Sequence, residues 1–217
     1  MSHPSVDRLR TLLAPSSTAV LTMEMQRGVV GAESVFPALT QQVADRALIP
    51  TVARLCAGAR DAGVRVVHCT MTTRADGAGQ VVNCKVFALD ARLRRERGAS
   101  PTQIGSPGAE LVPELAGDPR DIEVPRMHGM TPFTATSLDQ VLRNLGVTTV
   151  VPSGVSVNLG VFGMTVSAVD LGYQVVLPRD AVTGVPQEYA DAVIDNSISM
   201  LATVTTVDDV LATWNHQ

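Results

Sequence analysis

The stretch PSGVSVNLGVFGMTVSAVDLG, Pro152 to Gly172, decides how this chain is read. It follows the apolar run VTTVV (Val147 to Val151) and opens a long segment of small and apolar residues. A strand that runs through a tight polar turn into a helix is where many α/β proteins display a reactive side chain. The start of such a helix offers orphan N–H groups and the positive end of a dipole, both suited to an anion. Here the turn supplies Ser153, Ser156, Asn158 and Gly160, and no cysteine. The helix beyond Asn158 is apolar nearly all round, which predicts an interior position.

Outward from this stretch, strands and helices alternate. Upstream, TSLDQVLRNLG places Leu138, Val141, Leu142 and Leu145 on one helical face, with Thr136 or Ser137 as cap and Gly146 as stop. DIEVPR (Asp121 to Arg126), VRVVHCT (Val64 to Thr70) and TAVLTMEM (Thr18 to Met25) read as strands. IPTVARLCAGARDAG reads as a helix with Val52, Leu55, Cys56 and Ala59 on its inner face. Downstream, YQVVLP (Tyr173 to Pro178) is a strand, followed by QEYADAVIDNSISMLA and TVTTVDDVLATW. Met71 to Gly117 is irregular around a basic helical stretch, FALDARLRRERG, and reads as an elaborated loop. Continuous apolar strands between helices predict an α/β fold, a parallel sheet covered on both faces. We expect a single domain over residues 1–217, a doubly wound three-layer sandwich built on six strand segments.

Composition narrows the function. The chain has 217 residues, 45% apolar and 18% charged, values of a globular protein with a substantial core. Its net charge of −4 and lack of a basic tract argue against nucleic acid as a partner. MSHPSVDRLRTLLAP has no long apolar run, and no segment reaches the length of a membrane span. Cys56, Cys69 and Cys84 make an odd count without metal-type spacing, which predicts reduced thiols and a cytoplasmic location.

In a doubly wound sheet, ligands bind beyond the carboxyl ends of the strands, where strand order reverses. Glu24 and Gln26 follow the first strand there, PRMHG closes the third, and the Ser153–Gly160 turn follows the fourth. Taken singly, each has a structural explanation. An acid at a strand end can cap a helix or pair with a cation, Arg126 and His128 can belong to a surface loop, and Gly160 can serve close packing. Together they mark a pocket.

At these residues the chain resembles the isochorismatase-like hydrolases, also called the cysteine hydrolase family. AVLTMEMQRG is similar to the family's strand ending in Asp-x-Gln. TPFTATSLDQVLRNLGVTTVV is similar to its Ser-Ala-Phe-x-x-Thr-x-Leu segment and following strand, and GVSVNLGVFGMTVSAVDLGYQVVLPRDAV to its nucleophile turn, helix and next strand. The resemblance implies a central six-stranded parallel sheet, a small-molecule substrate, and a homodimer or higher homo-oligomer. It also implies a cis peptide between Val155 and Ser156, in a turn that aims backbone N–H groups at a substrate oxygen.

The family's Asp–Lys–Cys triad does not carry over. Its aspartate falls on Glu24, its lysine on Met127 between Arg126 and His128, and its cysteine on Gly160. The implied activity is hydrolysis of a small organic substrate without a cysteine nucleophile. Isochorismatases proper also have glycine there and cleave a vinyl ether by protonating its alkene carbon, a step that Glu24 would perform as general acid. The lysine's place at Met127 predicts Arg126 facing solvent and Glu24 unpartnered, protonated in a dry pocket. Catalysis is accordingly assigned to Glu24, with Arg126 as the candidate replacement cation. Gln26, His128, Phe133, Ser156, Asn158 and Gly160 are assigned to substrate binding. HCTMTTRADGAG lacks the Asp-x-His pattern of the family's zinc-binding branch, so no metal and no cofactor are expected. Two other readings stay open: an inactive descendant that keeps the pocket for ligand binding or assembly, and a thiol relocated to Cys69 or Cys84.

Overall fold

The computed structural model describes residues 4–215, so the first three residues of the N-terminal stretch quoted above lie outside it. Its strands are β1 (Thr18–Met23), β2 (Arg65–Met71), β3 (Ile122–Arg126), β4 (Thr149–Val155), β5 (Gln174–Pro178), β6 (Val182–Thr183) and β7 (Thr203–Thr205). All pairings are parallel, in the order β3-β2-β1-β4-β5-β7. The sheet holds the six expected strand segments and a seventh, the two-residue β6. β4 outruns its partner β5, which pairs only with Thr149 and Val150, and the chain returns as β6 to cover Gly154 and Val155.

The helices are α1 (Val6–Leu12), α2 (Pro37–Asp45), α3 (Leu48–Asp61), α4 (Lys85–Arg97), α5 (Leu138–Asn144), α6 (Phe162–Asp170), α7 (Gln187–Asn196) and α8 (Val207–Asn215). Alternation along the strands divides the core into two layers. Val20, Val66, Val151 and Val176 face Leu55, Val52 and Cys56 of α3 together with Val210 and Trp214 of α8. Leu21, Val67, Val150 and Val175 face Leu142 of α5, Met164 of α6 and Ile194 of α7. Each fully buried side chain of this size stabilises the fold by about 1.5–3 kcal/mol before the entropy of ordering it. The helical face read for α3 is the buried one. At α5, Ser137 occupies the cap position, but Thr136 Oγ1 accepts from the Leu138 N–H at 3.1 Å.

α6 departs from its expected interior position. Met164, Thr165 and Ala168 are buried, while Leu159 just before it and Leu171 at its end are exposed. It belongs to an outer layer, with the sheet on one side only, so apolarity all round does not translate into burial all round. Residues 72–121 are tied to the sheet ends: the Thr72 N–H donates to the Arg126 carbonyl and the Val112 N–H to that of Met25. Among the described residues no helix is long and apolar enough to cross a membrane.

Candidate active site

Strand order reverses between β1 and β4, and both strands end at one cavity of about 260 Å³. Glu24, the first residue beyond β1, lines it. Its N–H still donates to the Cys69 carbonyl at 3.0 Å, but its φ of 52° is left-handed. For a residue with a side chain this backbone costs about 1–2 kcal/mol and persists only where its surroundings hold it. The chain thus turns sharply at the strand end with its carboxylate toward the cavity.

Arg126 does not face solvent, and Glu24 is not unpartnered. The Arg126 side chain is 3% exposed and its Nη2 donates to Glu24 Oε1 in an ion pair. Nε donates to the Gly129 carbonyl at 3.0 Å, and Nη1 approaches the Thr70 carbonyl at 3.5 Å. The cause is strand parity. Val124 and Arg126 of β3 point inward, Glu123 and Pro125 outward, and Met127 beyond them is 44% exposed. Counting to a lysine position places Met127 at the site, whereas the pleat delivers Arg126.

The opposite wall is the turn after β4. Gly154 has φ 100°, and a Cβ there would collide with the Met23 carbonyl, so glycine is required twice over. The Val155–Ser156 peptide is cis. Val157–Val161 then forms one turn of π-helix, in which the Val161 N–H donates to the Ser156 carbonyl at 3.1 Å. Such turns recur at functional sites. Ser156 and Gly160 line the cavity. A Cβ on Gly160 would meet the Met23 methyl at 2.5 Å, and the Met23 sulfur lies 4.0 Å from Arg126 Nη1. The Met23 side chain therefore fills the space between the guanidinium and Gly160.

The other assigned residues stand apart from the cavity. Gln26 is fully buried and spends its amide on the backbone, Nε2 donating to the Met71 and Ala109 carbonyls at 2.9 and 2.8 Å while Oε1 accepts from the Met71 N–H at 2.8 Å. It braces the loop entering the site. Phe133 packs in the core, its ring centroid 5.9 Å from that of Tyr173. Asn158 accepts from the Ser156 hydroxyl and so holds the turn from behind. His128 stacks on Phe87 at 4.2 Å, with its buried Nδ1 unpartnered.

Sequence reasoning missed most of the wall. Phe36 and Leu39 at the start of α2 and Val86, Phe87 and Leu89 of α4 line the cavity. The signal in α4 was present, since Val86, Phe87 and Leu89 are the apolar residues that open an otherwise basic helix. Neither cysteine considered as a relocated nucleophile lines the cavity. Cys69 is buried, and burial pushes its thiol up to about 12 despite the opposing charge of Arg126. Among the described residues no group of three or more His, Cys, Asp or Glu side chains is placed to hold a metal ion.

Known proteins resemble this chain in sequence and fold. A family model described as the isochorismatase domain matches residues 18–209. The ureidoacrylate amidohydrolase RutB of Pseudomonas syringae pv. syringae (strain B728a) is 27% identical over 213 residues, covering 94% of this chain and 86% of its own length. An isochorismatase family protein from Desulfovibrio vulgaris subsp. vulgaris str. Hildenborough superposes with a TM-score of 0.76 at 28% identity, over 90% of this chain and 98% of its own. A cysteine hydrolase from Pseudomonas syringae pv. phaseolicola 1448A has the same TM-score of 0.76 at 24% identity, over 100% and 99% of the two chains, a likeness of fold. The matched segment takes in all seven strands and the cavity at their ends, and on that ground the chain belongs to the isochorismatase family.

Proposed function

We propose that the protein is a hydrolase of a small organic substrate that works without a covalent nucleophile, with Glu24 as general base. The observation that carries this is the Glu24–Arg126 ion pair facing the cavity beside the Gly160 turn. The family triad diverges: glutamate stands for aspartate, the Arg126 guanidinium for the lysine ammonium, and glycine for cysteine. The guanidinium is a fixed cation that orients the carboxylate, leaving its second oxygen to accept a hydrogen bond from water. Glu24 is thus suited to activating water and poorly suited to protonating the alkene carbon of a vinyl ether.

In the proposed reaction Glu24 takes a proton from a water molecule whose oxygen bonds to the substrate carbonyl carbon. Backbone N–H groups of the turn from Ser156 to Gly160 hold the oxyanion. The carbon–heteroatom bond then breaks, and Glu24 returns the proton to the leaving group. Arg126 fixes the carboxylate and balances its charge throughout.

A second reading, ligand binding without turnover, is favoured by the Met23 methyl beside Gly160. One comparison separates the two. With a panel of neutral amides, esters and vinyl ethers as substrates, Glu24→Gln is expected to lower turnover about a hundred- to ten-thousandfold, the usual worth of a general base. Arg126 can keep a hydrogen bond to the amide oxygen but loses its counter-charge while buried, so the melting temperature should fall, and turnover is compared well below it. Undiminished turnover in Glu24→Gln, or turnover of vinyl ethers alone, would remove Glu24 as base. Saturable binding with no turnover in the unaltered protein would establish the second reading.

A further inference from the structure

The walls and the floor of the cavity differ in chemistry. Phe36 and Leu39 form one side, Val86, Phe87 and Leu89 another, and Leu159 the rim. Apart from the Thr102 hydroxyl and the backbone N–H groups of the Ser156–Gly160 turn, the polar groups that reach it are nearly all spent. Arg126, the only cation among the described residues lining the cavity, is committed to Glu24 and to two backbone carbonyls. Asp90 accepts from Ser100 Oγ at 2.6 Å and lies 3.4 Å from the Arg94 guanidinium. The Ser156 hydroxyl donates to Asn158. Glu24 is different: it lines the cavity, its ion pair uses Oε1 and its side chain is 22% exposed, which leaves Oε2 as an acceptor with no described protein donor.

Charge points the same way. The lining carries two carboxylates, Glu24 and Asp90, each already paired with an arginine, Arg126 and Arg94. A carboxylate ligand would enter next to Glu24 with no free cation to receive it, and like charges in an apolar cavity repel strongly. An alkyl or aryl group would bury itself against the walls, and an N–H or O–H beside it would complete the unused acceptor.

We infer that this site takes an uncharged ligand with an alkyl or aryl body and a hydrogen-bond-donating head, as in a neutral carboxamide, and rejects carboxylates. The inference rests on the reading of this cavity as the substrate site. A neutral amide would place its N–H on Glu24 Oε2 and its hydrocarbon between Phe36 and Phe87.

The test is calorimetric titration of the full chain near pH 7.5 with two matched pairs, 3-phenylpropanamide against 3-phenylpropanoate and hexanamide against hexanoate. The amides are expected to bind at least tenfold more tightly than the matching acids. Phe36→Ala removes an aromatic wall at a half-buried position and should weaken amide binding about tenfold. Leu159→Ser, at a rim site 46% exposed, should weaken it less. Acids that bind as tightly as amides, amide binding indifferent to Phe36→Ala, or no binding of either amide would each overturn the inference. Product analysis of the same mixtures keeps the two proposals apart. Amides that bind but are not hydrolysed support the ligand class and count against the general base, whereas acids that outbind amides that are still hydrolysed overturn the ligand class alone.

Discussion

Gly160 and Met23 show how much one side chain decides. A cysteine hydrolase needs a thiol at the turn, yet here the space before Gly160 holds the Met23 methyl, 2.5 Å from where a Cβ would stand. Gly160→Cys would therefore have to push aside a flexible side chain and would place its sulfur near a guanidinium already paired with Glu24. We expect this variant to fold with a slightly lowered melting temperature, to gain no amidase turnover and to form no acyl-enzyme on incubation with neutral amides. Mass spectrometry of the intact protein reads the result. An acyl adduct at position 160 would show that the Glu24–Arg126 pair can activate a thiol after all.

Between elements, a polar seam joins β1, β2 and α3 to the start of β3. Buried His68 lies with Nδ1 2.8 Å from Thr22 Oγ1 and Nε2 3.0 Å from Asp121 Oδ2, and Arg60 holds Asp121 from the other side at 2.5 Å. The neutral ring suits both partners, accepting from the threonine hydroxyl and donating to the carboxylate. Burial holds the His68 pKa below its ordinary 6.5, with the Asp121 hydrogen bond opposing. Below that pH the unfolded chain binds a proton that the folded one does not, so stability is present above about pH 6.5 and is lost as pH falls. The loss approaches a limit of about 1.4 kcal/mol per pH unit. Urea denaturation at pH 7.5, 6.5 and 5.5 measures it. The slope should be shallower in His68→Gln, whose amide can serve both partners, and parallel curves for the two proteins would contradict this account.

Across the whole molecule, the two core layers share one sheet, so neither can lose packing without exposing strands the other needs. Leu55→Ala on the α3 side and Leu142→Ala on the α5 side each truncate a fully buried side chain. Each should cost about 2–5 kcal/mol. Both are expected to shift the same cooperative unfolding transition in calorimetry. Two resolved transitions, with each variant moving only one, would show that the layers unfold separately. The cavity depends on this unity, because its parts come from the ends of β1, β3 and β4 and from α2 and α4, far apart in the chain.

The sequence by itself determined the layered α/β architecture, since apolar runs alternating with amphipathic helices leave few other ways to bury both faces of a sheet. It determined that Glu24, Ser156 and Gly160 line one cavity, because residues just beyond the carboxyl ends of adjacent parallel strands meet. Tertiary structure decided the rest. Strand parity at Val124 and Arg126, a period of two that counting from a neighbouring motif overlooks, turned Arg126 onto Glu24 and Met127 outward. Packing withdrew Gln26, Phe133 and Asn158 into supporting roles, since a buried amide or ring takes whichever partners the folded chain provides. The apolar walls from α2 and α4 came from segments whose residues gain meaning only when distant loops close over the same strand ends.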